Sequence, residues 1–177
     1  MTATEQIEPL NNGEIDISFS RPLPASIADA FANHDIYIDQ FVAVVNHNHA
    51  LANTHSIDLS KMKNEQFIIF NRDEALGLFD ETITICKQAK FSPNIVSQPR
   101  HMQTLVTEVA AGLGVAIAPF CVSKLYSEGC HFIKLENVET KMPVQIQYKQ
   151  SNDNATVNAF VDIALNAREA IQAEMSV

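Results

Sequence analysis

The fold is decided by the stretch RHMQTLVTEVAAGLGVAIAPF, which runs from Arg100 to Phe120. Its first half places apolar side chains three and four residues apart, the spacing that lines one face of a helix. The residues of this apolar stripe are Met102, Leu105, Val106, Val109 and Ala110. We therefore predict an amphipathic helix from His101 to Ala111.

The second half of the stretch predicts a tight turn and a buried strand. Gly112 and Gly114 allow the chain to leave the helix sharply, because glycine tolerates the positive φ that strains other residues. The apolar run Val115–Ala118 is short and is followed by Pro119, as expected of a strand buried on both faces. Ligands of open α/β sheets bind at the carboxyl ends of such strands. Pro119 and Phe120 stand at that end and are candidate ligand contacts.

Strand and helix patterns alternate from Glu65 onward, which predicts right-handed βαβ units and a mostly parallel sheet. The predicted elements are strand 67–70, helix 77–90, strand 94–97, the helix and strand described above, helix 121–128 and strand 131–135. Two strands, Ile36–Asn46 and Val144–Tyr148, enclose this part, and a long helix from Asn154 to Ala173 follows.

These elements predict an α/β fold of two lobes joined by two crossing strands that act as a hinge, the arrangement of periplasmic-binding proteins. Residues 1–46 and 143–177 are predicted to form the first lobe, and residues 47–142 the second.

Composition excludes several classes of function. The 177 residues include 12 basic and 21 acidic ones, for a net charge of −9, which argues against a nucleic-acid surface. The three cysteines are odd in number and lack C-x-x-C spacing, so we expect buried thiols in a reducing cytoplasm. No basic and apolar leader opens the chain, and no apolar run approaches the ~20 residues of a membrane span. We expect a cytoplasmic protein without a membrane partner.

Three segments of the chain follow one another in a characteristic order: GEIDISFSR (Gly13–Arg21), FIIFNRDEALGLFDETI (Phe67–Ile83) and the stretch Arg100–Phe120. Together they resemble the effector-binding domain of LysR-type transcriptional regulators, in particular the branch that controls catabolism of aromatic compounds. The resemblance covers nearly the whole chain. It implies a type 2 periplasmic-binding-protein-like fold in which a small effector closes two lobes and so regulates transcription.

The resemblance also implies partners. Domains of this kind pair side by side, which implies a possible homo-oligomer, and DNA is bound only through a winged helix-turn-helix that is absent here. Family members begin the domain with a strand, a helix and a second strand before the segment matching Thr4–Gly13. The first lobe is therefore expected to be incomplete, with open strand edges that invite pairing with another chain.

Candidate ligand residues in the second lobe follow its strands. Arg72 comes directly after strand 67–70 and can bind a carboxylate through two hydrogen bonds; alternatively it is a solvated arginine paired with Asp73 or Glu74. Asn71 stands where the resemblance implies a proline. The beginning of the helix at 101–111 supplies three more candidates. Arg100 and His101 contact the ligand or only solvate the start of the helix, and Thr104 offers a hydroxyl or is an exposed helix residue.

The first lobe supplies the remaining candidates. Arg21 ends the strand that contains Phe19, and either contacts the ligand or stiffens the hinge with the prolines that follow. Thr4 is a predicted N-cap, and the resemblance implies that a hydroxyl at this place holds a carboxylate. Three arginines and the apolar walls of Phe19 and Phe120 suit a small carboxylate effector. That the effector is aromatic, or derived from aromatic catabolism, is implied by the resemblance alone.

Neither a cofactor nor catalysis is predicted. His47 and His49 have a spacing that metals use on strands, but His49 matches a structural histidine of the family and no acidic partner is expected nearby. No G-x-S-x-G motif or placed base occurs, so we expect no enzyme. The leading hypothesis is thus the sensory domain of a LysR-type regulator, and the alternative is a stand-alone solute-binding protein of the same fold.

Overall fold

The structure, a computed structural model, describes residues 5–74, 76–125 and 127–176, without the side chain of Leu76. The strands are β1 (Ile17–Ser20), β2 (Phe31–Asp39), β3 (Phe41–Asn46), β4 (Ser56–Asp58), β5 (Gln66–Ile68), β6 (Asn94–Ser97), β7 (Val115–Pro119), β8 (Cys130–Glu136) and β9 (Met142–Lys149). The helices are α1 (Ile7–Asn12), α2 (Ala25–Ala28), α3 (Leu76–Gln88), α4 (Met102–Ala110), α5 (Ala155–Asn166) and α6 (Arg168–Glu174).

The chain divides into two compact units. The first unit comprises the residues up to Asp39 together with Lys141–Ser176, and the second comprises Gln40–Thr140. The first boundary precedes the one expected at residue 46, because the predicted strand 36–46 is two strands. β2 and β3 are separated at Gln40 and pair in different sheets.

The first unit contains a three-stranded antiparallel sheet in the order β1-β9-β2. Helix α5 packs on one face of this sheet, and the core there contains Ile36, Ile146, Val157, Val161 and Ala164. The helix begins where the sequence predicts, because the Asn154 side chain accepts a hydrogen bond from the Thr156 main-chain N–H at 2.9 Å. This side-chain acceptor satisfies one of the free N–H groups of the first turn.

The predicted helix 154–173 is in fact two helices. The break lies at Ala167, whose φ of −85° and ψ of −4° depart from the values of a regular α-helix. Beyond it, α6 covers the outer edge of β2. There the Gln172 side chain accepts a hydrogen bond from the Ile38 N–H at 2.7 Å and donates one to the Ile38 carbonyl at 3.1 Å. The change of direction thus protects an edge strand whose backbone groups would otherwise be unpaired.

The second unit contains a six-stranded mixed sheet in the order β4-β8-β3-β7-β5-β6. The pairs β4–β8, β7–β5 and β5–β6 are parallel, whereas β3 is antiparallel to both of its neighbours. The predicted, mostly parallel sheet is therefore confirmed, with β3 as the exception. That strand runs against the others because it enters directly from the first unit and not through a crossover helix.

The stretch that decided the fold behaves as predicted. Leu105, Val106 and Val109 of α4 are buried, and every residue of β7 is buried. Gly112 has a φ of +78°, which glycine accommodates without strain. Gly114 has a different role: a Cβ there would lie 2.6 Å from the main-chain oxygen of Gln66. This glycine is required by the close approach of β5 and not by a positive φ.

Other predicted elements differ in length. The predicted helix 121–128 is only a short 3₁₀ helix, Phe120–Lys124, which ends because Leu125 is extended with φ −77° and ψ 173°. Helix α3 ends before Lys90, which has a φ of +66°. The short β4 and α2 and a 3₁₀ helix at Leu59–Met62 were not predicted. In the part of the chain that the structure describes, no helix is long and apolar enough to cross a membrane.

Candidate functional site

The second unit brings several predicted ligand residues to one edge of its sheet. β6, β5 and β7 are parallel neighbours, so their carboxyl ends meet at the same edge. Main-chain hydrogen bonds join the segments after β5 and β6: Ile69 N–H donates to the Ser97 carbonyl at 3.1 Å, and Asn71 N–H donates to the Pro99 carbonyl at 2.9 Å. This carboxyl edge, defined here by residues 71–74, 97–104 and 119–120, is where open α/β sheets bind ligands.

Arg72 at the carboxyl edge forms a two-bond pair with Asp80 of α3. Arg72 Nε lies 2.9 Å from Asp80 Oδ1, and Nη2 lies 3.1 Å from Oδ2. The hydrogen bond with Asp80 raises the pKa of Arg72, and that with Arg72 lowers the pKa of Asp80. The sequence suggested Asp73 or Glu74 as the alternative partner of Arg72. The partner is instead Asp80, because α3 places the Asp80 side chain beside the segment that follows β5.

Arg100 at the carboxyl edge is also paired. Its Nε donates a hydrogen bond to Glu74 Oε1 at 2.7 Å, and its Nη2 contacts the same oxygen. The Arg100 side chain is exposed, whereas that of Glu74 is mostly buried. The edge therefore holds two cations and two anions. Because solvent-exposed ion pairs contribute little stability, a ligand carboxylate can compete with Asp80 for Arg72, where both partners are exposed.

The other candidates at the carboxyl edge are less directly engaged. His101 is the extended N-cap residue of α4, and its side chain makes no capping hydrogen bond. Thr104 is exposed one turn into the helix. The Asn71 side chain accepts a hydrogen bond from the Asp73 N–H at 3.0 Å and so shapes the turn before α3. His101 and Thr104 leave polar atoms exposed at the edge, and Asn71 has mainly a structural contact.

Pro119 and Phe120 close the carboxyl edge on the side of β7. Pro119 is buried at the end of the strand, and Phe120 is half-buried and packs against the core of the second unit. Lys124 Nζ lies 5.7 Å from the centroid of the Phe120 ring, within the range of a cation–π interaction. The edge therefore offers an aromatic wall close to positive charge.

In the first unit, Arg21 joins the two strand ends that lie next to the boundaries of the unit. Its Nη1 donates to the Met142 carbonyl at 2.8 Å, and its Nη2 lies 3.4 Å from Asp39 Oδ2. The Asp39 side chain is fully buried, and Arg21 is partly exposed. These contacts favour a structural role at the ends of β2 and β9, although the Arg21 side chain is partly exposed.

Phe19 takes no part in the polar contacts that Arg21 makes. Phe19 is 44% exposed, and its ring packs edge-on against Phe160 at a centroid distance of 6.2 Å. It shares the face of the sheet that α5 covers, whereas the buried residue of β1 is Ser18. Thr4, the remaining candidate, lies outside the residues that the structure describes.

Sequence reasoning missed the polar face of the three-stranded sheet. Ser18 Oγ donates a hydrogen bond to Gln6 Oε1 at 2.6 Å, and the Gln147 amide donates one to the Arg21 carbonyl at 2.8 Å. The alternation of Gln145 and Gln147 in MPVQIQYK indicates that both glutamines share a face. It does not indicate which face is buried, and this is why neither residue was a candidate.

The histidines and cysteines have structural environments. His49 Nε2 lies 3.5 Å from Glu65 Oε2, so the expectation that no acidic group is nearby was wrong; Glu65 is brought in by the fold. Burial raises the pKa of the Cys86 thiol to about 12 and also raises the pKa of Cys130. Both thiols are therefore protonated at neutral pH, and thiols react mainly as thiolates.

Known proteins match the chain over nearly its whole length. The LysR substrate binding domain family matches residues 1–169. The chain is 31% identical over 121 residues to the uncharacterized HTH-type transcriptional regulator YnfL of Escherichia coli, which covers 67% of this chain and 39% of that protein. It is 26% identical over 164 residues to the HTH-type transcriptional regulator AlsR of Bacillus subtilis, with 93% of this chain and 54% of that protein covered.

Solved structures give the same fold. The effector-binding domain of QuiR in complex with shikimate has a TM-score of 0.82 at 19% identity, and the alignment covers 97% of this chain and 80% of that one. The effector-binding domain of BenM with its effector benzoate has a TM-score of 0.77 at 16% identity, with 100% and 79% covered. At these identities the likeness shows the fold, which is the two-lobed periplasmic-binding-protein-like one.

The chain spans about half the length of curated relatives such as AlsR. Its relatives are named as transcriptional regulators, and the matched domain is a regulatory one and not an enzyme. The chain belongs to the LysR substrate-binding domain family.

Proposed function

We propose that this chain senses a small carboxylate effector for a LysR-type transcriptional regulator and that effector binding controls transcription. The carrying observation is the carboxyl edge, where Arg72 holds Asp80 through a solvent-exposed ion pair and the exposed Arg100 holds the mostly buried Glu74. A ligand carboxylate can replace Asp80 at Arg72 without leaving a buried charge unpaired. Shikimate and benzoate, the acids named with the QuiR and BenM domains, both carry a carboxylate.

We assign roles to candidate residues in each unit separately. In the second unit we assign the charge to Arg72 and Arg100, the apolar wall to Phe120 beside Pro119, and polar contacts to His101 and Thr104. In the first unit we assign Arg21, with Thr4 and Phe19 as further candidates. An effector shifts the equilibrium between conformations only by its differential affinity for them.

The matched relatives favour this sensory function over a stand-alone solute-binding protein of the same fold. Their names identify transcriptional regulators, and a structure of full-length CbnR complexed with its target DNA covers 96% of this chain at a TM-score of 0.81. We propose that DNA is contacted through a separate domain of the regulator and not through the acidic chain described above. An aromatic acid, or one from aromatic catabolism, is the effector class that we propose to test first.

Titration calorimetry with the purified chain tests this function. Benzoate, muconate, benzamide and benzylamine form a panel in which the charge of the polar group changes from negative to neutral to positive. We expect binding of at least one carboxylate, and weaker or no binding of the amide and the amine. Arg72→Ala should reduce carboxylate affinity about ten- to a hundred-fold, because a hydrogen bond to a charged group contributes about 1.5–3 kcal/mol.

Asp80→Asn provides a second, opposite signature. It removes the carboxylate that competes for Arg72, so we expect it to tighten carboxylate binding. Arg168→Ala is the matched control, because Arg168 belongs to α6 and its Nε donates to the Leu165 carbonyl at 3.1 Å. A preference for the amide or the amine, or unchanged affinity in the Arg21, Arg72 and Arg100 alanine variants, would remove the carboxyl edge as the binding site.

A further inference from the structure

Each of the parallel strands β5, β6 and β7 is followed by one cation and one partly buried apolar side chain. These pairs are Arg72 and Leu78 after β5, Arg100 and Met102 after β6, and Lys124 and Phe120 after β7. All three apolar side chains pack against the same core cluster of the second unit. The segments at the carboxyl ends of these strands therefore combine apolar surface with positive charge, the mixture expected in a site for a small acid.

The three cations differ in their partners. Both arginines are already held by carboxylates, Arg72 by an exposed one and Arg100 by a mostly buried one. Among the residues that the structure describes, no carboxylate is paired with Lys124. The Lys124 ammonium group instead lies 5.7 Å from the centroid of the Phe120 ring. Lys124 is therefore the cation of this set that can meet a ligand without first losing a carboxylate.

Lys124 is placed beside Phe120 by the short 3₁₀ helix Phe120–Lys124, which follows β7 directly. Within this helix the Val122 side chain is buried in the core of the second unit. The Phe120 N–H donates a hydrogen bond to the Gln40 carbonyl at 2.9 Å. The main chain is thus anchored, whereas the Lys124 side chain is exposed. An exposed ammonium group is held only weakly by an aromatic ring, and the flexible lysine stem lets the charge move towards an incoming anion.

We propose that Lys124 binds a carboxylate of the effector and that the apolar body of the effector lies on the Phe120 ring. This inference rests on the function proposed above. A carboxylate that reaches Arg72 must displace Asp80, whereas one that reaches Lys124 displaces no carboxylate of the described residues. The ammonium group has three N–H donors, so it can stay near the ring while it donates hydrogen bonds to the ligand. Lys124 and Phe120 together therefore recognise an acid with an apolar or aromatic body.

Titration calorimetry with Lys124→Met tests this assignment on the purified chain. Benzoate and muconate are the carboxylate probes, and benzamide is the neutral probe. Methionine keeps an unbranched apolar side chain beside Phe120 and removes the charge. We expect carboxylate affinity to fall about tenfold, as the loss of one hydrogen bond between charged groups predicts, while any affinity for benzamide stays within about twofold of the wild type. Lys124→Arg keeps a cation at this position and should retain most of the carboxylate affinity.

Lys87→Met is the matched control. Lys87 is an exposed lysine in the last turn of α3, whereas the carboxyl edge adjoins the beginning of that helix. The substitution removes the same charge from the chain, so an effect of net charge alone would be equal in Lys87→Met and Lys124→Met. We expect Lys87→Met to bind both carboxylates as the wild type does. Thermal melts monitored by circular dichroism should be the same for all these variants, because both lysines are exposed.

An NMR signature separates binding by the ammonium group from an indirect effect on Phe120. The Cε–Hε resonance of Lys124 is identified by its absence from the spectrum of Lys124→Met. In the wild-type chain it should shift when benzoate or muconate saturates the site, and it should not shift with the same concentration of benzamide. An unchanged Lys124 resonance in the presence of a bound carboxylate would contradict the assignment.

The outcomes separate this inference from the proposed function. If a carboxylate binds and Arg72→Ala weakens it, but Lys124→Met does not, the role of Lys124 is wrong and the proposed function stands. The role is also wrong if Lys124→Met weakens benzamide as much as the carboxylates, because the side chain then acts through packing alone, or if Lys87→Met has an equal effect. If neither carboxylate binds to the wild-type chain, the proposed function is wrong and the role of Lys124 falls with it.

Discussion

At the scale of single residues, two of the arginines proposed to bind the ligand are engaged by partners that are distant in sequence. Arg21 contacts Asp39 and the Met142 carbonyl, and Arg100 contacts Glu74. The sequence indicated where the arginines stand, because each follows a recognisable strand. It did not indicate their partners, because the distances between ion-pair atoms depend on how helices and loops return over the sheet.

The pair formed by Arg72 and Asp80 leads to a prediction at this scale. The hydrogen bond from Arg72 lowers the pKa of Asp80 from its ordinary value of 3.8. Stability contributed by this carboxylate is therefore present above the ordinary pKa and is lost as the pH falls through the lower folded value. In a carboxyl-carbon NMR titration, Arg72→Ala should move the pKa of Asp80 up towards 3.8.

Asp58 is the internal control for that titration. The pKa of Asp58 is also lowered, but the cause is hydrogen bonding with Ser60. The main-chain nitrogen of Ser60 lies 2.8 Å from Asp58 Oδ1. The pKa of Asp58 should stay low in the Arg72→Ala variant. An unchanged pKa of Asp80 in that variant would show that the ion pair is absent in solution.

At the scale of elements, segments with a clear apolar run or stripe were predictable, whereas several short elements and one helix break were not. α4 and β7 match the sequence prediction, since their apolar spacing extends over a whole buried face. The predicted helix 121–128 failed, because a few apolar residues within eight positions satisfy a helical pattern by chance. The division of helix 154–173 at Ala167 also escaped prediction, since alanine is a good helix former and only the docking of α6 on β2 requires the break.

The turn between α4 and β7 allows a prediction at this scale. Gly114→Ala places a methyl group 2.6 Å from the main-chain oxygen of Gln66, so β5 and β7 must separate locally. We expect the free energy of unfolding to fall by about 1–3 kcal/mol, the usual cost of overpacking. Urea unfolding followed by circular dichroism measures this difference.

Gly77→Ala is the matched control for Gly114→Ala. A Cβ at Gly77 meets no atom within 4 Å, and the residue lies inside α3. Because alanine favours helices over glycine, this variant should be more stable than the wild type by up to about 1 kcal/mol. Equal effects of the two substitutions would show that the close approach of β5 to Gly114 is not present in solution.

At the scale of the whole molecule, the charge distribution separates ligand binding from DNA binding. The chain carries a net charge of −9, and arginines 21, 72 and 100 are each already paired with a carboxylate. DNA binding depends on clusters of basic side chains that neutralise phosphates. The proposed binding of one small anion needs only a local group of cations, which the carboxyl edge supplies.

We therefore predict that this polypeptide has no sequence-specific affinity for DNA at physiological salt. Fluorescence anisotropy with a set of labelled duplexes should show no binding up to micromolar protein. The same titration at low salt serves as a control, because any weak non-specific electrostatic binding becomes stronger there. Sub-micromolar binding that depends on the duplex sequence would contradict the prediction.

The sequence by itself determined the α/β class, the alternation of strands and helices in the second unit, and the strand ends that carry Arg72, Arg100 and Phe120. These features follow from local periodicity and from the fact that parallel strands end at one edge. Only the tertiary structure decided which carboxylates hold the arginines, where β2 gives way to β3, and that Gln147 lies buried. Each of these depends on residues far apart in the chain. Alternation along a strand assigns side chains to two faces, but the packing of helices decides which face is closed to water.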